Sequence, residues 1–412
     1  MRKNRRLQVL FISAFLLRLV VAPLTRHEWD MMVWTRAGAE FLHGGISPYD
    51  VLLKTSQAAG TFYYYYAYPP VWFASIVQSY FLFERTPFNF EGALYTWIKL
   101  PLILTDIILG YLIYDSLRPK IGEDKAIYAS ATYLLNPLVI WISSVWTMHD
   151  CVAACFTFLA YRFYLEDRPR ASALCLGAAI SAKIYPVFAL PIFLLKKETR
   201  KNIFTYLALV SLVLLAVSMP FLIWNYKAYL FMFQFQLQRK PTGVTYWEIA
   251  SVVHKLRVSY RHGLEYERIV GDIAKLSFPL AAGCFAILIQ RMRKKDWTQE
   301  RFLIALLAGC LIYFFTMKNV HPPFLVWITP LMITVTSVQR ENTRDWRYYW
   351  LLSALFFLYL SINEPIWAFW GESMPDWYYD SMLFRVSLWF IGIAATLVEV
   401  SYFKVLLRRL GD

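Results

Sequence analysis

Charge is what this 412-residue chain has least of: Asp, Glu, Lys and Arg together make up 17% of it, against roughly a quarter in soluble globular proteins. With 58% hydrophobic residues there is too little polar surface to face water, and a water-soluble fold is excluded. Cysteine is scarce as well. The five, at positions 151, 155, 175, 284 and 310, form no CxxC and fall inside apolar stretches, so neither disulfides nor a zinc site are expected. A Walker loop, a GxGxxG following a strand, HExxH and GxSxG are all missing, which argues against soluble-nucleotide and protease chemistry. What charge there is leans basic, 42 Lys and Arg against 28 Asp and Glu, a net +14. The basic residues cluster between apolar stretches, as in membrane proteins. The 18% aromatic content suits many crossings of a membrane-water interface.

Apolar runs long enough to cross about 30 Å of hydrocarbon lie near 7–24, 94–114, 126–146, 150–165, 203–224, 273–290, 301–317, 322–338, 347–363 and 382–405. Two further runs are ambiguous. Residues 69–83 give about 22 Å of helix, too short to cross comfortably, and read as interfacial or re-entrant. Residues 171–195 carry Lys183-Ile184-Tyr185-Pro186 at their middle, where proline breaks a straight helix and lysine would sit deep in lipid. A broken or hairpin-like element fits better. The expected fold is therefore an all-α polytopic membrane protein with about 10–12 transmembrane helices and interfacial helices in the first outer loop.

Short basic clusters at Arg2–Arg6, Lys196–Lys201, Arg291–Lys295 and Arg408-Arg409 mark the cytoplasmic side and put both termini there. The first run lacks a convincing small-x-small cleavage site and reads as a retained helix. Three parts follow: a first membrane module over 1–224 with its outer loop at 25–93, a second outer loop at 225–272, and C-terminal membrane helices over 273–412. The outward segment 364–381 is acid-rich, with Glu364, Glu372, Asp376 and Asp380.

Chemistry-bearing residues gather in the outward segments. Glu28 and Asp30 are two apart, so their carboxylates share a direction only if the backbone is extended; otherwise they cap a following helix. From Asp30 a helical reading puts Trp34, Ala37, Gly38 and Phe41 on one face and Arg36, Glu40 and His43 on the other, ending at Gly44-Gly45. Tyr63–Tyr66 and Tyr68-Pro69-Pro70 form an aromatic run, suited to sugar rings, an isoprenoid chain or an interfacial belt. Arg18, Lys99 and Asp106 fall inside spans, and mutual pairing, Arg18 with Asp106, is the simplest reading. Lys183 lies about a dozen residues from either end of its segment, too deep to snorkel, and at a break it can face an outer cavity and bind phosphate. His149-Asp150 at a tight turn, the loop pair Arg239-Lys240, and Lys318 with His321 ahead of Pro322-Pro323 complete the set.

Taken together, EWDMMVWTRAGAEFLHGGISPY, the later YPP, LLNPLVIWISS followed by HD, SAKIYPVFALPIFLL and HPPFLVWITPLM resemble the multi-spanning GT-C glycosyltransferases that use polyprenyl-phosphate sugars. The likeness is greatest to the catalytic subunits of the first GPI mannosyltransferases and their prokaryotic relatives, and it runs in family order from residue 7 to about 340. The resemblance implies that Glu28 and Asp30 occupy the family's DxD, with Glu in place of the first Asp, and that Asp30 is the catalytic base. It places the second outer acidic position at Asp150 and the KxYP lysine at Lys183, with Tyr185 beside it, and His321 matches a histidine found near the donor phosphate in related members.

The implied reaction moves a sugar, expected to be mannose, from a polyprenyl or dolichyl phosphate to a hydroxyl of a lipid-linked or glycolipid acceptor on the outer or lumenal side, with inversion. A lipid phosphate leaves readily, so one carboxylate base suffices. Lys183, His321, Arg239 and Lys240 would hold the phosphate. An acidic pair can also carry Mg²⁺ or Mn²⁺, but with cations at hand no obligatory metal is expected. The setting is a prokaryotic cytoplasmic membrane or the endoplasmic reticulum, with room for a small membrane partner subunit. A transporter or flippase of lipid-linked sugars is the competing class; it would bring internal repeats and a midplane site.

Overall fold

The computed structural model describes residues 2–59, 65–195, 202–250, 252–253, 263–292, 297–339, 343–370 and 375–411. Tyr63, Tyr64, Glu372, the basic cluster at 196–201 and residues 293–295 lie outside the described residues.

Helix dominates because apolar runs in lipid must satisfy every backbone group internally. Each expected run forms one: Arg2–Val21, Glu91–Ile121, Asp150–Leu165, Ile203–Gln238, Ser277–Met292, Gln299–Thr316, Leu325–Val338, Thr343–Asn363 and Met382–Gly411, with 126–146 split in two. Among the described residues six helices are long and apolar enough to cross a membrane, or seven if the pair bent by 48° between 123 and 146 counts as one span. The chain is thus an all-α multi-pass membrane protein. The helix Pro70–Phe83 turns Trp72, Phe73 and Ile76 inward. All five cysteines are free.

Three buried charges organise the amino-terminal part. Arg18 donates through Nε to Oδ2 of Asp106 at 3.2 Å, both side chains being fully buried, as the sequence leads one to expect. Ser143 and Tyr133 donate to the same carboxylate at 2.6 and 2.8 Å, so a charge that would otherwise be costly is fully answered. Lys99, two turns earlier on the same helix as Asp106, donates to the carbonyls of Ala22 and Thr25. It thereby fastens the end of the first helix just ahead of His27.

The next helix starts at Glu28 and runs to Gly44, burying Asp30, Trp34, Ala37 and Gly38; Gly45, at φ +60°, ends it in the left-handed region that glycine adopts freely. The stretch around 126–146 breaks at Asn136-Pro137, where the asparagine side chain caps Leu138. It continues as a π-helical turn, Trp141–Trp146, and Thr147 follows at φ +81° with its side chain buried. A β-branched residue there is a true backbone outlier. It sits immediately before Met148, His149 and Asp150.

Residues 171–195 are broken as anticipated. The helix Pro169–Ala182 stops at an extended Lys183, a 3₁₀ turn covers Tyr185–Ala189, and helix resumes at Leu190–Leu195. The expected span 203–224 is longer than the apolar run alone suggests. Its helix kinks at Asn225 and continues to Gln238, so the start of the expected 225–272 loop is helical, as is Gly263–Ala274 further on. Asn225 donates to Asp50 at the kink. Beyond it, Thr242–Gly243 and Asn319–Val320 form a short parallel pair, which holds the end of that helix against the segment containing His321.

Candidate active site

These breaks converge on one cavity of about 560 Å³. Its polar end carries His27, Asp30, Lys183, Arg239, His321 and Glu364. Apolar lining comes from Val187, Phe188, Phe233, Leu237, Phe278 and Met317. Each polar residue comes from a place where regular helix stops, because only there does an intramembrane or interfacial chain present charge to a cavity without burying it in lipid.

Asp30 is 4% exposed. Its Oδ2 accepts from Nε1–H of Trp146 at 2.7 Å and lies 2.8 Å from Nδ1 of His27. Nδ1 of His27 is also 3.2 Å from the backbone N–H of Asp30, but one nitrogen cannot both donate to the carboxylate and accept from the amide. The charges decide which prevails. Burial lowers the basicity of His27, yet the carboxylates of Asp30 and Glu364 outweigh it and raise its pKa from 6.5 to about 10. The ring is therefore an imidazolium donating to Oδ2. Burial alone would raise the pKa of Asp30; His27, the Trp146 hydrogen bond and Lys183 lower it below the usual carboxylate value.

Glu28 does not share this environment. Helix begins at Glu28 itself, so residues two apart diverge by about 200°, and Glu28 is exposed and outside the cavity lining while Asp30 is buried. The extended geometry that would aim both carboxylates into one cavity is absent, because His27 occupies the cap position and starts the helix earlier than a helix beginning at Asp30. Among the described residues no group of three or more His, Cys, Asp or Glu side chains is arranged to hold a metal ion.

Lys183 enters the cavity from its break and is caged there. Oδ2 of Asp150 lies 3.5 Å away, and the rings of Tyr68 and Phe324 are 4.3 and 5.7 Å from Nζ. Tyr185, also on the wall, donates its hydroxyl to Asp150. Asp150 and His149 are themselves fully buried and do not line the cavity. Asp150 holds Lys183 and Tyr185 from behind, and His149 stacks on Trp72 at 5.0 Å. Neither of these chemistry-bearing turn residues reaches the cavity itself, since the chain after Thr147 turns inward.

Arg239 and His321 meet on the far wall, with Nη2 of the arginine 3.1 Å from Nε2 of the histidine. Burial, then Arg239 and Lys183, push His321 down to about 3, so the ring is neutral and accepts the arginine's N–H. Lys240, its neighbour in sequence, is exposed and off the cavity wall. Lys318 lines the wall and donates to the carbonyl of Leu237. Sequence reasoning passed over His27 and Trp146 as site residues. A histidine three before Asp30 was the available signal for the first; nothing local marks the second.

In this multi-pass membrane protein a buried carboxylate, a buried lysine and a basic wall surround one cavity, a setting that fits the GT-C glycosyltransferase class expected from the sequence. Residues 66–312 match glycosyltransferase family 87, and the chain belongs to that family. The match takes in Tyr68, Asp150, Lys183 and Arg239; Asp30 and His321 lie outside it. The chain is similar to GPI mannosyltransferase 1 of Kluyveromyces lactis, 24% identical over 286 residues, which are 64% of this chain and 67% of that relative. It is 29% identical to GPI mannosyltransferase 1 of Candida albicans over 171 residues, 41% of this chain and 37% of that relative, so this match spans well under half of the relative's length. In fold it resembles ArnT from Cupriavidus metallidurans in the apo state, with a TM-score of 0.50, 16% identity, and coverage of 98% of this chain and 76% of that one.

Proposed function

We propose that this glycosyltransferase moves mannose from a polyprenyl-phosphate donor to a hydroxyl of a lipid-linked or glycolipid acceptor, at the outer or lumenal face of its membrane. The observation that carries the reading is the sharing of one cavity by an ionised Asp30 and the caged ammonium of Lys183, in a cavity with many apolar lining residues. The isoprenoid chain would lie along Phe188, Phe233, Leu237 and Phe278, and its phosphate would sit at Lys183 and Arg239. The mannosyl relatives favour that sugar over others, and the basic clusters favour the outward orientation.

In the step itself, Asp30 takes the proton of the acceptor hydroxyl as that oxygen bonds to the anomeric carbon. The carbon–oxygen bond to phosphate breaks on the opposite side, inverting the centre, and the lipid phosphate leaves with the electron pair. Lys183 and Arg239 balance the charge that grows on the phosphate oxygens. The residues favour a metal-independent reaction: Oδ2 of Asp30 is already taken by His27 and Trp146, and Glu28 points elsewhere.

Purified full chain incubated with synthetic polyprenyl-phosphate mannose, glucose and arabinose, plus membrane-lipid acceptors, tests this. Mannose transfer by the wild type and a loss of about 10²- to 10⁴-fold in Asp30→Asn are expected. Equal turnover by the two proteins removes Asp30 from the mechanism, and movement of labelled lipid-sugar across vesicles without transfer points to a transporter instead.

A further inference from the structure

His27 and Glu364 come from opposite ends of the chain and meet beside Asp30, yet neither is needed as base or phosphate ligand in the reaction above. Nδ1 of His27 is 2.8 Å from Oδ2 of Asp30 and Nε2 is 3.7 Å from Oε1 of Glu364, with the three side chains 16%, 5% and 23% exposed. The ring stacks on Trp146 at 4.8 Å and 22°, and Phe369 packs against both rings, 5.8 Å from His27 and 5.9 Å from Trp146. Trp146 therefore grips the assembly twice, by its face on the histidine and by its N–H on the aspartate. A ring so held cannot rotate without leaving a carboxylate unanswered.

We propose that Glu364 and His27 form a positioning pair that keeps the Asp30 carboxylate ionised and aimed during sugar transfer. The proposal rests on the reading of Asp30 as the base. Its physical content is a division of labour. An isolated carboxylate in a closed cavity would take up a proton to escape desolvation, and a protonated Asp30 cannot accept the acceptor's proton. An imidazolium at hydrogen-bond distance removes that penalty but would itself be costly to bury alone; Glu364, nearer the solvent, faces its second N–H as an ion-pair partner at 3.7 Å.

Among the described residues, few charged and titratable groups face this pair. Lys183 and His321 lie on the cavity side and interact with Asp30, while Tyr378 and Tyr379 feel Glu364. Arg26 turns away to Glu91 and Tyr95. The imidazolium thus has Asp30 and Glu364 as its counter-charges, which agrees with its raised basicity. A stabilised carboxylate is a weaker base, and this suits a reaction whose leaving phosphate needs little push: orientation and ionisation matter more than basicity.

Two measurements on the full chain in detergent test the pair. In the first, histidine-labelled protein is titrated by NMR, with His27→Gln identifying the relevant signal among the six histidines. The His27 ring should remain protonated well above neutrality, and lose that protection in Asp30→Asn and, in part, in Glu364→Gln. In the second, pH profiles of transfer from polyprenyl-phosphate mannose are compared. His27→Gln should lower kcat at neutral pH by about tenfold to a hundredfold, leave the donor KM within about twofold, and shift the acidic limb upward; Glu364→Gln should do the same more weakly. A purely structural role for His27 would lower the amount of active protein but not move the limb. A ring that titrates near 6.5, or a His27→Gln profile superimposable on wild type, overturns the proposal. Should no sugar donor be used even by the wild type, the functional reading fails while the NMR titration still decides the pair. Should His27→Gln fail to fold, the wild-type titration with Glu364→Gln decides it.

Discussion

Trp146 donates its indole N–H to Oδ2 of Asp30 across 2.7 Å, joining the first turn of the helix Glu28–Gly44 to the end of the π-helical turn. The consequence is measurable. Trp146→Phe keeps a ring on His27 but withdraws one charge-assisted hydrogen bond, of about 1.5–3 kcal/mol. Transfer should fall about tenfold or more, with the acidic limb of kcat moving up; an unchanged profile would show that the indole N–H is dispensable.

Stability should depend on pH through the same pair. Asp30 has a lowered folded pKa, so its contribution is full above its ordinary value of 3.8 and is lost as pH falls through the folded one. His27 has a raised folded pKa, so its contribution is full below 6.5 and disappears as pH rises towards about 10. Thermal melting in detergent should thus show the pair's largest stabilisation between about pH 4 and 6.5, and Asp30→Asn should flatten both slopes.

Lys183 and Asp150 allow a double-mutant cycle. Lys183→Met strands a buried carboxylate and should destabilise the fold by about 3–5 kcal/mol. Adding Asp150→Asn should recover part of that stability, read by melting, while leaving transfer abolished. Full recovery of transfer in the double variant would exclude Lys183 from phosphate binding.

Much of this architecture was legible in the chain, and the reasons for what was not are local. The helices follow the apolar runs because lipid leaves the backbone no alternative, and the break at Lys183 was announced by a proline and a charge in the same turn. The pairing of Arg18 with Asp106 was readable because isolated intramembrane charges must find each other. The relation of Glu28 to Asp30 was not, since a two-residue spacing means the same side in a strand and nearly opposite sides in a helix. The choice is made by where the helix is capped. Glu364 and Trp146 were out of reach because their meeting with His27 depends on tertiary packing of segments with no shared local pattern.

His321 should behave as an acceptor for Arg239 and not as a cation. His321→Gln, whose side-chain oxygen can still accept, should retain most activity; His321→Ala removes this acceptor from Arg239 and should raise the donor KM about tenfold. Because the ring is pushed down to about 3, the rate should show no limb near 6.5 arising from it. A KM that is equal in both variants contradicts the assignment.

Gly243 sits at φ +109°, and a Cβ there would fall 2.0 Å from the carbonyl oxygen of Val320. Gly243→Ala must therefore pry apart the two short strands that set Arg239 against His321. A loss of about 2 kcal/mol or more is expected in melting, together with weaker donor binding.

The ammonium of Lys99, hooked over the carbonyls of Ala22 and Thr25, moors the near bank of the cavity to a long membrane helix. With that bank fixed, admission of a bulky lipid donor falls to the opposite bank, where Phe233, Leu237 and Phe278 stand on the ends of two other helices. Amide exchange should accordingly be slow from 22 to 30 and faster around 233–239, and Lys99→Met should set the first stretch adrift.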